Sequence, residues 1–138
     1  MADLTVTATK VAPVYPSKAE IYPMIATEAI TAGQVVYVLS TGKVGVADAN
    51  AAGKQQARGI ALESVPAGAA VSVLKRGHVS GYTISQNGDT RLFLSDTAGA
   101  IADAAGTMSV PLGRVVSLSD SALTKVAYVD LNWSDQFA

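Results

Sequence analysis

The sequence predicts an all-β fold, a small β-barrel or β-sandwich of short strands, built from two related halves and carrying an extended N-terminal arm. Three observations predict it. Glycine-bearing turns return about every eight to twelve residues, the spacing of strands in barrels and sandwiches. Hydrophobic residues make up 49% of the 138 positions but aromatics only 6% and charged residues 15%. The apolar content is therefore mostly Ala and Val, which suits small β packing better than a large helical core. No window holds a sustained helical period. A domain of this size buries roughly two-thirds of its unfolded surface and needs no disulfide or metal to hold a core.

The chain opens on alternation, with Leu4, Val6 and Ala8 separated by Thr5, Thr7 and Thr9, and continues through Pro13, Pro16 and Pro23. Period two suits a strand, whereas proline removes the backbone donor a central strand needs. Met1 to Pro23 therefore read as an extended arm or edge strand, and residues 24–138 as a single β domain. Such an arm either adds a strand to another chain or completes its own domain, and the sequence leaves both open. On the first reading the β domain folds without residues 1–23.

From Ile30 the order sharpens. Ala32-Gly33 turns the chain, Gln34 to Leu39 forms a strand whose near-continuous apolar run predicts burial on both faces, and Ser40-Thr41-Gly42 closes a hairpin into Lys43 to Val46. Asp48 to Ala57 is a polar connection with room for one helical turn, which Gly53 limits. Short strands follow at Gly59 to Glu63 and Val71 to Leu74. Lys75-Arg76-Gly77 reads as a solvated hairpin end before His78 to Ile84, which Gly81 interrupts.

The second half echoes the first. Asn87-Gly88, Thr90 to Leu94, the turn through Gly99 and the strand opening at Gly113 follow the order of Ala32-Gly33, Val35 to Leu39, Gly42 and Gly59. Two copies of about fifty residues, near 30–77 and 85–131, are expected, and neither has enough strands to cover its own apolar face.

Little in the composition points to chemistry. Ten basic and eleven acidic residues give a net charge of −1, far from the clustered positive charge that nucleic acid demands. The longest run of large apolar residues, Val35 to Leu39, falls well short of the roughly 20 that cross a bilayer. MADLTVTATK has no signal-peptide pattern, and a soluble protein of a reducing compartment is expected, with no membrane and no direct nucleic-acid partner. His78 is the single histidine and stands in no motif. Asp48, Asp89 and Asp96 fall singly at turns, where aspartate caps its own backbone. No nucleophile elbow, phosphate loop or calcium loop occurs. No enzyme, no catalytic residue, no metal and no cofactor are expected. Half of the aromatic side chains lie near the two ends, Tyr15 and Tyr22 in the arm, Trp133 and Phe137 in the tail, and large rings commonly anchor interfaces.

The succession Ala32-Gly33-Gln34-Val35-Val36-Tyr37-Val38, Gly42-Lys43-Val44, Arg58-Gly59-Ile60-Ala61-Leu62, Ala67-Gly68-Ala69-Ala70-Val71-Ser72-Val73 and Gly77-His78-Val79 resembles the capsid decoration, or cement, proteins of tailed bacteriophages. The resemblance covers roughly Ile30 to Leu131. It implies a small β-rich virion protein, made in the host cytoplasm, that binds the outer surface of the assembled head and bridges neighbouring major capsid subunits, commonly as a homotrimer. That family has no catalytic residues to carry over. Leu4, Val6, Val11, Val14, Tyr15 and Tyr22 are the expected capsid contacts, with Trp133 and Phe137 as a secondary interface. Two rival readings are a non-catalytic β-sandwich module recognising host-surface carbohydrate, for which Tyr82, Trp133 and Phe137 are the available rings, and a hydrolase or ligand-binding barrel with a polar pocket.

Overall fold

A computed structural model describes residues 2–118 and 121–137; Met1, the first residue of the expected arm, lies outside them. The chain forms β1 (Thr5–Val6), β2 (Ala12–Pro13), β3 (Glu20–Ile25), β4 (Val35–Val38), β5 (Val44–Val46), β6 (Ala57–Ala61), β7 (Ala70–Ser80), β8 (Tyr82–Thr83), β9 (Arg91–Leu94), β10 (Ile101–Ala102), β11 (Pro111–Leu118) and β12 (Ser121–Asp130). Among the described residues helix is confined to two 3-10 turns, Ala8–Lys10 and Pro16–Lys18, and no helix is long and apolar enough to cross a membrane. The all-β class is as the sequence predicts.

One antiparallel sheet runs β10-β9-β11-β12-β7-β6-β4-β5, with β2 and β3 on the other edge of β7. That order reads the same from both ends when each half is numbered from its first strand. The register repeats as well. Val35, Val36 and Tyr37 stand opposite Ile60, Gly59 and Ala57, and Arg91, Leu92 and Phe93 opposite Arg114, Gly113 and Pro111, with an extra residue at the same place in each ladder. Gly33 N–H donates to Ala61 O at 2.8 Å, and Asp89 N–H to Val115 O at 2.7 Å. The left-handed turn position that Gly33 fills at φ 93° thus falls on Asp89 at φ 68°, one residue beyond the glycine that the sequence pattern favours. Aspartate is among the few side chains that tolerate this conformation.

Gly59 and Gly113 occupy equivalent sites for a steric reason. A Cβ on Gly59 would lie 2.7 Å from the Leu74 carbonyl oxygen, and one on Gly113 would lie 1.8 Å from the Tyr128 carbonyl oxygen, the matching atom of the next strand. Only glycine lets the bulged strand come this close.

The two halves bury different faces. Val35, Ile60 and Leu74 belong to the main core, while Val36, Ala61 and Val73 form a second cluster with Ala26, Ile30, Val44 and Val71. Both faces of the first half are therefore covered at Val35 and Val36, as the apolar run Val35 to Leu39 predicts, but not at the end of that run, where Val38 is exposed and Leu39 half-buried. In the second half Leu92, Val115 and Ala127 face the main core, but the positions that match Val35, Ile60 and Leu74 are Arg91, Arg114 and Tyr128, which point outward. The cause lies in β7. Glu20 pairs with Arg76 but Ile21 with Leu74, so Lys75 is an extra residue, and beyond it the odd-numbered Val79 joins Leu74 in the main core although Val71 and Val73 face away. A one-residue bulge exchanges the faces of every later side chain. Lys75-Arg76-Gly77 is thus not a hairpin end; it bends the middle of an eleven-residue strand. Asp48 to Ala57, in turn, contains turns and no helix.

The far ends of the curled sheet meet through loops. Gly99 N–H donates to Ala47 O at 2.7 Å, Val35 N–H to Gly99 O at 3.0 Å and Ala49 N–H to Ser95 O at 3.2 Å.

The N-terminal segment is extended but not free. β1 pairs with β8, β2 and β3 pair with β7, and Leu4 N–H donates to Ile101 O at 2.8 Å. The segment completes its own domain, the second of the two alternatives.

Candidate functional site

The structure separates the expected contact residues into two groups. Leu4 and Val11 are buried in the main core, at 7% and 8% exposure, so they are not surface contacts in this fold. The docking of Val6 and Val11 depends on two glycines: a Cβ on Gly33 would lie 2.5 Å from Val6 and 3.2 Å from Val11, and one on Gly81 would lie 2.7 Å from Val11. Those glycines are the signal by which sequence reading might have found the packing. Val14 is half-buried, while Val6, Tyr15 and Tyr22 are exposed.

Tyr22 and Trp133 join the two ends of the chain. Their ring centroids are 5.2 Å apart, the indole N–H donates to Arg58 O at 2.7 Å, and Lys75 Nζ lies 5.6 Å from the indole centroid. Phe137 instead packs against the main core. Its N–H donates to Gln56 Oε1 at 2.8 Å and its carbonyl accepts from Gln56 Nε2 at 2.5 Å, a side-chain imitation of a strand pair. Tyr82 also turns inward: its hydroxyl donates to Gly33 O at 2.6 Å, and burial pushes the phenol pKa up. Of the three rings available for a sugar, then, only Trp133 is exposed, and its polar edge is already engaged.

The outer face of the central strands carries two cross-strand rows. Glu20, Arg76 and Asp130 form the first: Arg76 Nε contacts Asp130 Oδ1 at 2.9 Å and Glu20 Oε2 at 3.9 Å, and the Asp130 carboxylate raises the guanidinium pKa further. Lys75 Nζ reaches Glu20 Oε2 at 3.4 Å. Solvated pairs of this kind add little stability and mainly fix side-chain direction.

The second row runs Arg91, Arg114, Tyr128 and His78, each directly opposite the next on adjacent strands. Tyr15 closes it edge-on, 5.0 Å from the His78 ring, and Tyr128 lies 4.9 Å from the other side of that ring. His78 is held as a spacer between two tyrosines. Among the described residues no group of three or more His, Asp or Glu is placed to hold a metal. A depression beside Arg91 and Arg114 has a volume of about 270 Å³.

What this arrangement offers chemically is recognition: exposed rings and arginines on a β body whose strands are fixed by glycine contacts. Comparison with known proteins finds no matching family model, and no curated protein or solved structure matches the chain.

Proposed function

We propose that this protein is a structural component of a tailed-phage head, binding the outer surface of the assembled shell and stabilising it by bridging major capsid subunits. The observation that carries the reading is the division of labour along the chain. The motifs that resemble the decoration proteins fall on β4 to β7 and the turns between them, where they supply much of both buried clusters, while Tyr15 and Tyr22 from one end and Trp133 from the other lie exposed, Tyr22 against Trp133. Aromatic side chains so placed are the usual anchors of protein interfaces.

The action is linkage. A ligand that binds only the expanded shell stabilises that shell by mass action, and many copies on one particle act together. A homotrimer, the state the resemblance implies, would present identical contacts to identical subunits. The protein would be made in the host cytoplasm and reside on the outer surface of the virion.

The test adds purified protein to expanded heads that lack it. Saturable binding and a higher temperature of genome release are expected. Heads that neither bind the protein nor change in release temperature would remove the proposed function.

A further inference from the structure

The row from Arg91 to Tyr15 breaks a local rule. Arg91 and Arg114 are directly opposite on β9 and β11, and like charges in that relation oppose strand pairing. The matching positions of the first half, Val35 and Ile60, are core residues, so nothing in the shared strand pattern demands arginine here. Each guanidinium is also held. Arg91 lies over the Phe93 ring at 4.9 Å and forms no ion pair among the described residues. Arg114 Nη1 donates to Asp89 O at 2.8 Å, while its Nε lies 3.7 Å from Asp89 Oδ1. Neither contact removes the repulsion between the two guanidinium groups, and the places where a chain breaks a local rule are characteristically functional sites.

We propose that this row is a docking surface for an extended segment of a partner protein, with a carboxylate of the segment between Arg91 and Arg114 and its apolar side chains along Tyr128, His78 and Tyr15. The inference deepens the proposed function by naming the chemistry of the capsid segment, and to that extent rests on it. Charge complementarity selects the occupant. The depression beside the arginine pair is also lined by Asp130 and Asp135, with Pro111 and Phe137 between. Asp130 is already engaged by Arg76 and Asp89 by Arg114, whereas Arg91 has no carboxylate partner among the described residues, so one added carboxylate completes the arginine pair while Tyr128, His78 and Tyr15 offer ring surface beside it. Geometry fits as well. Three strand spacings from β9 to β7 span about 14 Å, and five extended residues cover about 16 Å. Paired arginines favour carboxylates because the planar fork matches two oxygens at once.

The test has two arms. In the first, ¹⁵N-labelled protein is titrated with an acetylated, amidated pentapeptide, Glu-Val-Tyr-Val-Thr, with its Gln-first counterpart, and with inorganic phosphate. The Glu peptide should move the arginine Nε–H signals and those of Tyr128 and His78, and the Gln peptide should bind roughly tenfold more weakly, the loss of one charge-assisted contact. Equal response to both peptides, or the same shifts from phosphate alone, would overturn the assignment. In the second arm, Arg91→Gln and the Arg91→Gln/Arg114→Gln pair are compared on expanded heads with Lys18→Gln/Lys43→Gln, which removes two exposed charges elsewhere. Arg91→Gln leaves the Arg114–Asp89 contact intact and so controls for folding. Both arginine variants should bind at least about tenfold more weakly, with a shallower salt dependence. If they bind heads as the lysine variant does, the docking row is wrong and the capsid reading stands. If the unmodified protein does not bind heads, the capsid reading fails and the peptide arm alone decides the row.

Discussion

Replacing Gly113 by Ala tests the packing argument directly. The added Cβ would lie 1.8 Å from Tyr128 O, 2.8 Å from Tyr128 C and 3.0 Å from Val129 Cα, all of them backbone atoms of β12 that no rotamer change can move. Relieving the closest contact requires β11 and β12 to part by roughly 1 Å, which costs overpacking strain and weakens one or two ladder hydrogen bonds, together about 3–5 kcal/mol. Against a total stability of about 5–15 kcal/mol this is a large share. Gly88 provides the contrast: a Cβ there meets nothing within 4 Å, and Gly88 is not among the positive-φ glycines. Gly88→Ala should be neutral or stabilise by about 0.4–1 kcal/mol through the unfolded chain. Urea unfolding followed by Trp133 fluorescence measures both free energies, and thermal unfolding should show a fall in Tm of about 9 °C or more for Gly113→Ala. A Gly113→Ala protein within about 1 kcal/mol of the parent would refute the close approach of β11 to β12.

Two further outcomes follow from the termini. Removal of residues 1–23 should destabilise the domain by at least about 3–6 kcal/mol, because Leu4 and Val11 leave the core and β7 loses its edge partners; denaturant midpoints of the truncated and full chains check this, and equal midpoints would show that the segment does not pack as described. Asp103 accepts Ala2 N–H at 2.9 Å and Gln86 Nε2 at 3.2 Å, and these bonds, Ala2 first, hold its carboxyl below the usual value of 3.8. A depressed carboxyl contributes stability above its unfolded pKa and loses it as pH falls through the folded one. The destabilisation caused by Asp103→Asn should therefore be present at about pH 7 and vanish once the pH has fallen below the lowered folded value. Urea midpoints at the two pH values decide it, and a pH-independent difference would refute the contact.

Much of the β body was legible because it rests on local chemistry. A run such as Val35-Val36 has no polar face to give solvent, so burial on both sides follows from the sequence, and Gly33, Gly42 and Gly99 sit at turns with positive φ where only small side chains are at ease. The failures are long-range. Lys75-Arg76 looked like a turn because two charges seldom occur inside a strand, but Glu20 and Asp130 come from β3 and β12 to flank them. The arm's destination stayed open because alternation gives the period of a strand and not its partner; Gly33 and Gly81 supply the clearance for its docking from far along the chain. The Arg91–Arg114 row was invisible for a similar reason. Which residue faces which depends on the extra residue between Pro111 and Gly113, and no composition or period announces a bulge.

The unpaired residue at Lys75 has a consequence for valency. Two halves with one connectivity would, if β7 ran evenly, turn the same kind of face outward twice and offer a second molecule two footprints related by a half-turn. With the extra residue, one of these faces becomes core and the other remains outside, so the chain has two unlike sides although its strands repeat, and one molecule presents one such face rather than two.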